Sequence, residues 1–399
     1  MKDLLLKNVK RIHGHASRNL SIFIRNGTIE AVAPLDEIRR IAGESAIGQT
    51  DALDCADLIA LPGFVDSHTH LLFAGTREDE FYLRASGADY LEILKRGGGI
   101  HRTVEAVRKA SEEELLRNGL SWLDRAFSFG TTTIEIKSGY GLDLETERKM
   151  LKVIRKLNDI HPVDVVPTFL VHTVPRGSDR GTYMDSVAEG MIPEFREYAE
   201  WFDLYLEKDV FSLEEAGSLI RKAQASGYRI GLHTNQAHDL GGITLAVETG
   251  VRHVDHLEVL KPEDADRLLR TKDLYAVFLP SAEIHTFSER IGQIRRLKGM
   301  PDRIVLSTDF NPGTSPLLSP AAAMAMAVWR YRIDDADFLV DAFTSNPGDM
   351  LFLSDRGRIK PGTKADVILL ALDNIAQVPY FGTVCPIRHV LKNGMLIER

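Results

Sequence analysis

Two cysteines in 399 residues are too few for a disulfide framework, and Cys55 and Cys385 stand near opposite ends of the chain. Two free thiols in a reducing compartment are the expectation. No uninterrupted apolar run approaches the ~20 residues needed to cross a bilayer. The opening stretch, MKDLLLKNVKRIHGH, has only a short leucine run, far less than a signal-peptide core. A basic excess is missing too: 49 Lys and Arg against 57 Asp and Glu leave a formal charge of −8. Nucleic acid or an anionic membrane requires a concentrated basic surface, so neither is expected as a partner. A cytoplasmic globular protein acting on small molecules is left.

What is present is ordinary in composition, with 44% hydrophobic and 27% charged residues, and specific in order. An α/β barrel takes ~250 residues, so the chain has room for one and for a smaller module. Residues 1–57 read as short strands and turns, with Asn26-Gly27 between β-branched runs as a hairpin signal. Residues 354–399 repeat that character: a Pro361-Gly362 turn, the run ADVILLALD, and a last strand pair around Asn393-Gly394. Both ends together predict one small β-sandwich flanking a barrel over 58–353.

Within 58–353, eight apolar, β-rich runs alternate with helical stretches, the signature of a parallel sheet and here of a (β/α)₈ barrel. They span 58–66, 131–137, 163–171, 202–207, 228–233, 251–256, 274–280 and 303–309. SLEEAGSLIRKAQASG begins with Ser212 and Glu215 at capping-box spacing and stops at Gly227. The connection over 67–130 is long and carries Gly97-Gly98-Gly99, readable as a lid hinge or as loop punctuation.

The polar residues fall at the ends of these runs. His68 and His70 follow the first, and at i and i+2 on an extended chain both imidazoles point the same way and can reach one metal ion. His233 closes the fifth run, His256 the sixth and Asp309 the eighth. Any one of them is explained as a strand cap or a partner for a loop carbonyl. All five meeting at the barrel mouth, where barrel enzymes keep their catalytic groups, is a site.

LPGFVDSHTH closely resembles the opening metal motif of the amidohydrolase superfamily, and RGRIKPGTKADVILL its closing β-segment. LLFAGTREDEFYLRASGADYLEIL, GGGIHRTVEAVRKAS, EIKSGYGL, HTNQAHDLGG, HVDHLE and STDFNPGTSP are similar to the imidazolonepropionase family, essentially from end to end. The resemblance implies that His68, His70, His233 and Asp309 hold one metal ion, zinc or iron, and that His256 and Asp309 are catalytic. It implies Arg77 as anchor for a substrate carboxylate, a match for the guanidinium fork. Tyr140, His172 and Gln236 fall at its ring-binding positions, and Asn311, Gly313 and Thr314 in its substrate-contacting last loop. It implies a homodimer as well.

The sequence departs from the family pattern in places. PTFLVHTVP is a residue short before His172, LPSAEIHTF replaces a Gly- and aromatic-rich segment, and Gln236 stands where some members carry Glu. A glutamine can hydrogen-bond the ring but cannot accept a proton. Other branches use a carboxylated lysine and a second metal at the fourth strand. Here Lys208 reads as a solvated lysine, and Lys137 as a structural charge.

The implied reaction is hydrolysis of the cyclic amide of 4-imidazolone-5-propanoate to N-formimidoyl-L-glutamate. Asp309 would move the water's proton, and His256 would polarise the carbonyl or help deprotonate the water. A metal-dependent deaminase of a cyclic amidine or pyrimidine shares the ligand pattern, but has no need of Arg77. An inactive barrel scaffold would have no reason to keep the ligands.

Overall fold

Asn26 and Gly27 both adopt positive φ, 51° and 80°, the backbone of a two-residue hairpin turn. They join β2 (Arg18–Arg25) to β3 (Thr28–Ala33), which pair antiparallel. The computed structural model, which describes residues 3–48, 50–88, 92–93 and 96–397, sets this hairpin beside β1 (Leu4–Ile12), with β4 (Asp51–Asp54) and β5 (Ile59–Pro62) on β1's other side. The barrel strands follow as β6 (Phe64–Asp66), β7 (Thr131–Lys137), β8 (Asp164–Val171) and β9 (Trp201–Leu206). They continue as β10 (Arg229–Thr234), β11 (His253–His256), β12 (Tyr275–Phe278) and β13 (Ile304–Leu306).

The C-terminal strands β14 (Val367–Leu370), β15 (Ile387–Lys392) and β16 (Met395–Leu396) extend the first sheet, in the order β16-β15-β14-β5-β1-β2-β3. A second Asn-Gly turn, with φ of 49° and 76°, closes β15–β16. Both ends of the chain thus build one small sandwich domain. One face of the sheet buries Leu6, Val9, Ile22 and Ile24 with Val367 and Leu391, and the other buries Leu5 and Phe23 with Ile38 of the helix Leu35–Ala42. Cys55 is buried, Cys385 is half-buried, and both are free thiols.

The first apolar run is not one strand. Ile59–Pro62 pairs with β1 and β14, and the barrel begins only at Phe64. Gly63 is the break: its N–H donates to Asp366 O, and a Cβ there would overlap the Thr132 side chain. The apolar pattern cannot reveal this change of sheet, because every residue from Ile59 to Asp66 is buried in either one.

The second eight-stranded sheet runs β13-β12-β11-β10-β9-β8-β7-β6, sequential and parallel in its paired registers. Just past the strand ends, Asp309 N–H donates to His68 O and His70 N–H to Phe310 O, so the segments after the first and last barrel strands meet. This is a (β/α)₈ barrel. Ser212 and Glu215 form the expected capping box on the helix Leu213–Ala225. The chain divides into two compact units, one of residues 1–66, 125–133 and 319–399, the other of 67–124 and 134–318. Among the described residues, no helix is long and apolar enough to cross a membrane.

The 67–130 connection carries the helices Glu78–Ala85, Ile100–Lys109 and Glu112–Ser128. Residues 89–91 and 94–95 of it lie outside the described residues. Gly98 and Gly99 are buried, and Gly99 N–H donates to Glu80 Oε1 at 2.8 Å.

Candidate metal centre

His68, His70, His233, His256 and Asp309 are scattered in sequence but come together within the second unit, each at most 4% exposed. His68 and His233 have ring centroids 4.4 Å apart, and His70 lies 5.5 and 5.6 Å from the two. His256 closes the group at 5.4 Å from His233 and 5.8 Å from His68.

The nitrogen atoms of these imidazoles divide in a way that bears on a metal. His68 Nδ1 is 2.7 Å from Asp255, and His233 Nδ1 is 3.0 Å from Asp203. Their Nε2 atoms, and Oδ1 of Asp309, are buried with no hydrogen-bond partner among the described residues. Asp309 Oδ1 lies 3.6 Å from His68 Nε2 and 3.5 Å from His70 Nε2. One ligand atom each from His68, His70 and His233 falls within 4.8 Å of the others. Buried polar atoms left unpaired are costly. Three imidazole nitrogens within 4.8 Å of one another, with a carboxylate oxygen beside two of them, fit a borderline divalent cation.

Burial holds the His68 and His70 imidazoles well below their ordinary range, with Lys137 adding to the effect on the first and His172 on the second. Burial lowers His233 too, against the pull of Asp203. Neutral imidazoles are the form that binds metal. Burial also pushes the Asp309 carboxyl up to about 7, opposed by His256. His256 goes the other way: burial would lower it, but Glu258, at 3.3 Å from Nδ1, and Asp309 push it up to about 9. His256 and Asp309 hold left-handed backbone, φ 85° and 53°, a strain that non-glycine residues keep where the surroundings enforce it.

Beside the candidate ligands lies a buried charge network. Lys137 Nζ sits 2.7 Å from Asp203 and 2.9 Å from Glu135, all at most 2% exposed. Burial opposes the Lys137 charge, but Asp203 and Glu135 hold it protonated. For Asp203 burial opposes ionisation, and His233 and Lys137 outweigh it. Lys137 is therefore a structural charge, as the sequence reading has it, and Lys208 is exposed.

The positions expected to bind substrate sort differently. His172 follows β8 directly, stacks on His70 at 5.5 Å, and is pushed down to about 3, mostly by burial. Tyr140 lies 5.8 Å from both of those rings, and burial raises its phenol. With the shorter segment before it, His172 still lies beside His70 and Tyr140. Gln236 is half-buried and its Oε1 accepts from Tyr205 OH at 2.8 Å, leaving its amide NH₂ as the donor end.

Arg77 is buried and biases the titration of both Tyr140 and His172. Asn311 spends its side chain on its own loop: Oδ1 accepts from Gly313 N–H at 2.8 Å and Thr314 N–H at 2.7 Å, and Nδ2 donates to Asp309 O. Thr314 Oγ1 also reaches Asn311. A Cβ at Gly313 would overlap the Arg77 guanidinium.

Sequence reasoning missed Asp203, Asp255, Glu135, Glu80, Glu258 and Tyr205. A signal existed for three of them. A carboxylate inside an apolar β-run, as in TIEIK, FDLYL and HVDH, has to be paired when buried.

The chain matches the pattern of the Amidohydrolase family over residues 77–396. It is 38% identical over 387 residues to an imidazolonepropionase of Geobacillus thermodenitrificans, covering 95% of this chain and 90% of the relative. It is also 38% identical over 342 residues to one from Kosmotoga olearia, covering 85% and 83%. In fold it is similar to an atrazine chlorohydrolase of Arthrobacter aurescens solved with zinc, with a TM-score of 0.73 and 14% identity, covering 98% of this chain and 94% of that one. The chain belongs to the amidohydrolase family and, within it, to the imidazolonepropionases.

Proposed function

We propose that the protein hydrolyses the cyclic amide of 4-imidazolone-5-propanoate to N-formimidoyl-L-glutamate, with one zinc or iron ion held by His68, His70, His233 and Asp309. The observation that carries this reading is the presence, in one compact unit, of the unpaired ligand set and a buried arginine close to Tyr140 and His172. The names of the relatives and the zinc in the Arthrobacter structure support it. A single ion is supported by Lys137, whose ammonium already occupies the Asp203 side of the second acidic group, Asp203, His233 and Asp255.

The bound ion supplies Lewis acidity, making water a better nucleophile and a carbonyl a better electrophile at neutral pH. The chain's own residues do the rest. Arg77 anchors the propionate, and Tyr140 and His172 flank the ring. Gln236, its Oε1 engaged by Tyr205, donates from its amide NH₂ to the ring. Asp309 takes the proton from the attacking water and returns it to the ring nitrogen as the C–N bond breaks, its Oδ1 being buried with no hydrogen-bond partner among the described residues. His256, kept charged by Glu258, hydrogen-bonds the carbonyl oxygen and stabilises the negative charge that develops there.

The test is turnover of freshly made imidazolone propionate, followed by loss of its ultraviolet absorbance and appearance of formimidoylglutamate. Ring opening without ammonia release is the expected result. Release of ammonia in place of ring opening would establish a deaminase instead.

A further inference from the structure

Arg77 does not meet the site alone. Its Nε donates to Glu80 Oε1 at 2.9 Å and its Nη2 to Glu80 Oε2 at 2.7 Å, a two-bond fork between buried groups. That fork uses one edge of the guanidinium; the Nη1–Nη2 edge is geometrically distinct and can pair with a second carboxylate. Glu80 is itself fixed, because Oε1 also accepts from Gly99 N–H and Oε2 lies 3.8 Å from Arg84 Nη1. Arg84 in turn donates to Gly313 O, and Gly313 lies so close to the Arg77 guanidinium that a Cβ there would overlap it. Three segments therefore converge on one arginine: the helix Glu78–Ala85, the glycine turn at 97–99 and the loop after β13.

The charges add up unevenly. Two arginines face one glutamate, so the cluster carries a net positive charge that one incoming carboxylate neutralises. A buried arginine with no acidic partner would adopt many geometries; one with Glu80 on its Nε edge presents a single one.

We infer that Glu80 is a positioning residue for substrate recognition, aligning Arg77 so that its outer edge receives the substrate's carboxylate. Gly313, lacking a side chain, leaves room for that guanidinium. The inference rests on the carboxylate-bearing substrate proposed above.

Steady-state kinetics of Glu80→Gln on imidazolone propionate test it, with bound metal measured in parallel. Expected is a KM raised about tenfold or more, the scale of one charge-assisted hydrogen bond, with a much smaller change in kcat and full metal content. A ring analogue lacking the carboxylate, used as an inhibitor, should bind variant and wild type alike. Glu80→Asp keeps the charge but shortens its reach to the Nε edge, and should also raise KM, so the test stands even if Glu80→Gln fails to fold. If wild type turns over the substrate while the folded variants keep its KM, Glu80 does not position Arg77. If the carboxylate-free analogue is weakened as much as the substrate, Glu80 is merely structural. Failure of wild type itself to turn over the substrate overturns the functional reading instead.

Discussion

His68 Nδ1 lies 2.7 Å from one oxygen of Asp255, whose other oxygen lies 2.7 Å from His253 Nδ1. The aspartate therefore fixes the tautomer of His68, leaving its Nε2 lone pair facing Asp309. Asp255→Asn keeps the shape and removes the charge. Competition with a chelator should show metal affinity falling about 10–100-fold, the usual cost of losing a ligand's supporting partner. Unchanged affinity would mean that His68 needs no such support.

Metal stoichiometry is the next expectation. Protein purified without added metal should hold close to one equivalent of zinc or iron by elemental analysis, and His68→Ala or His233→Ala should strip it. Two equivalents would sink the single-ion reading, and would mean that Lys137 does not keep a second cation from Asp203 and Asp255.

Asp309→Asn removes the proton acceptor at nearly constant size, so turnover should fall by ~10²-fold or more, the scale of acid–base groups. His256→Ala should also lower turnover, while elemental analysis finds the metal still bound. Loss of metal in the His256 variant would make it a ligand rather than a hydrogen-bond donor.

His172 supplies a pH dependence with a definite sign. Its folded pKa is about 3 and its ordinary value 6.5, with burial the main cause. Between those values the unfolded chain binds a proton that the folded chain does not, so this group costs stability as pH falls. In metal-free protein, His172→Asn should therefore lose less stability than wild type between pH 7 and pH 4, by urea unfolding. An equal loss in both would place His172 in a wetter environment than its burial indicates.

Substrate identity turns on Arg77. Arg77→Lys should weaken binding, because an ammonium cannot reproduce the two parallel bonds of the fork. Arg77→Ala should cost more, on the order of 1.5–3 kcal/mol. A double-mutant cycle of Arg77→Ala against substrate with and without its carboxylate gives the coupling directly. No coupling would leave Arg77 a structural residue.

The candidate metal-binding and catalytic positions were legible because each sits at or just past the end of an apolar run. His233 is the penultimate residue of β10, His256 ends β11, and Asp309 follows β13. Periodicity locates a strand end well, and barrel topology then says which ends share a mouth. Partners across the barrel were not legible. That Asp203 meets Lys137, or Asp255 meets His68, depends on pairings 66 and 187 residues apart. Glu80 was hidden for another reason. On an eight-residue helix with three acidic residues in its first turn, nothing in the sequence marks it as the buried one. The break at Gly63 was invisible because the residues on either side of it are equally apolar.

The small sandwich domain sets an order of events. Its strand β5 lies between β1, near the start of the chain, and β14, near the end. The Val367–Pro62 register joins residues roughly three hundred positions apart, a loop closure of very high contact order. A ribosome adds roughly three hundred residues between β5 and β14, so β5 waits that long with one edge bare. Exposed strand edges invite pairing with other chains. Synthesis is therefore a stage at which this sheet is open to pairing with other chains, and covering the bare edge of β5 is a task that suits a chaperone.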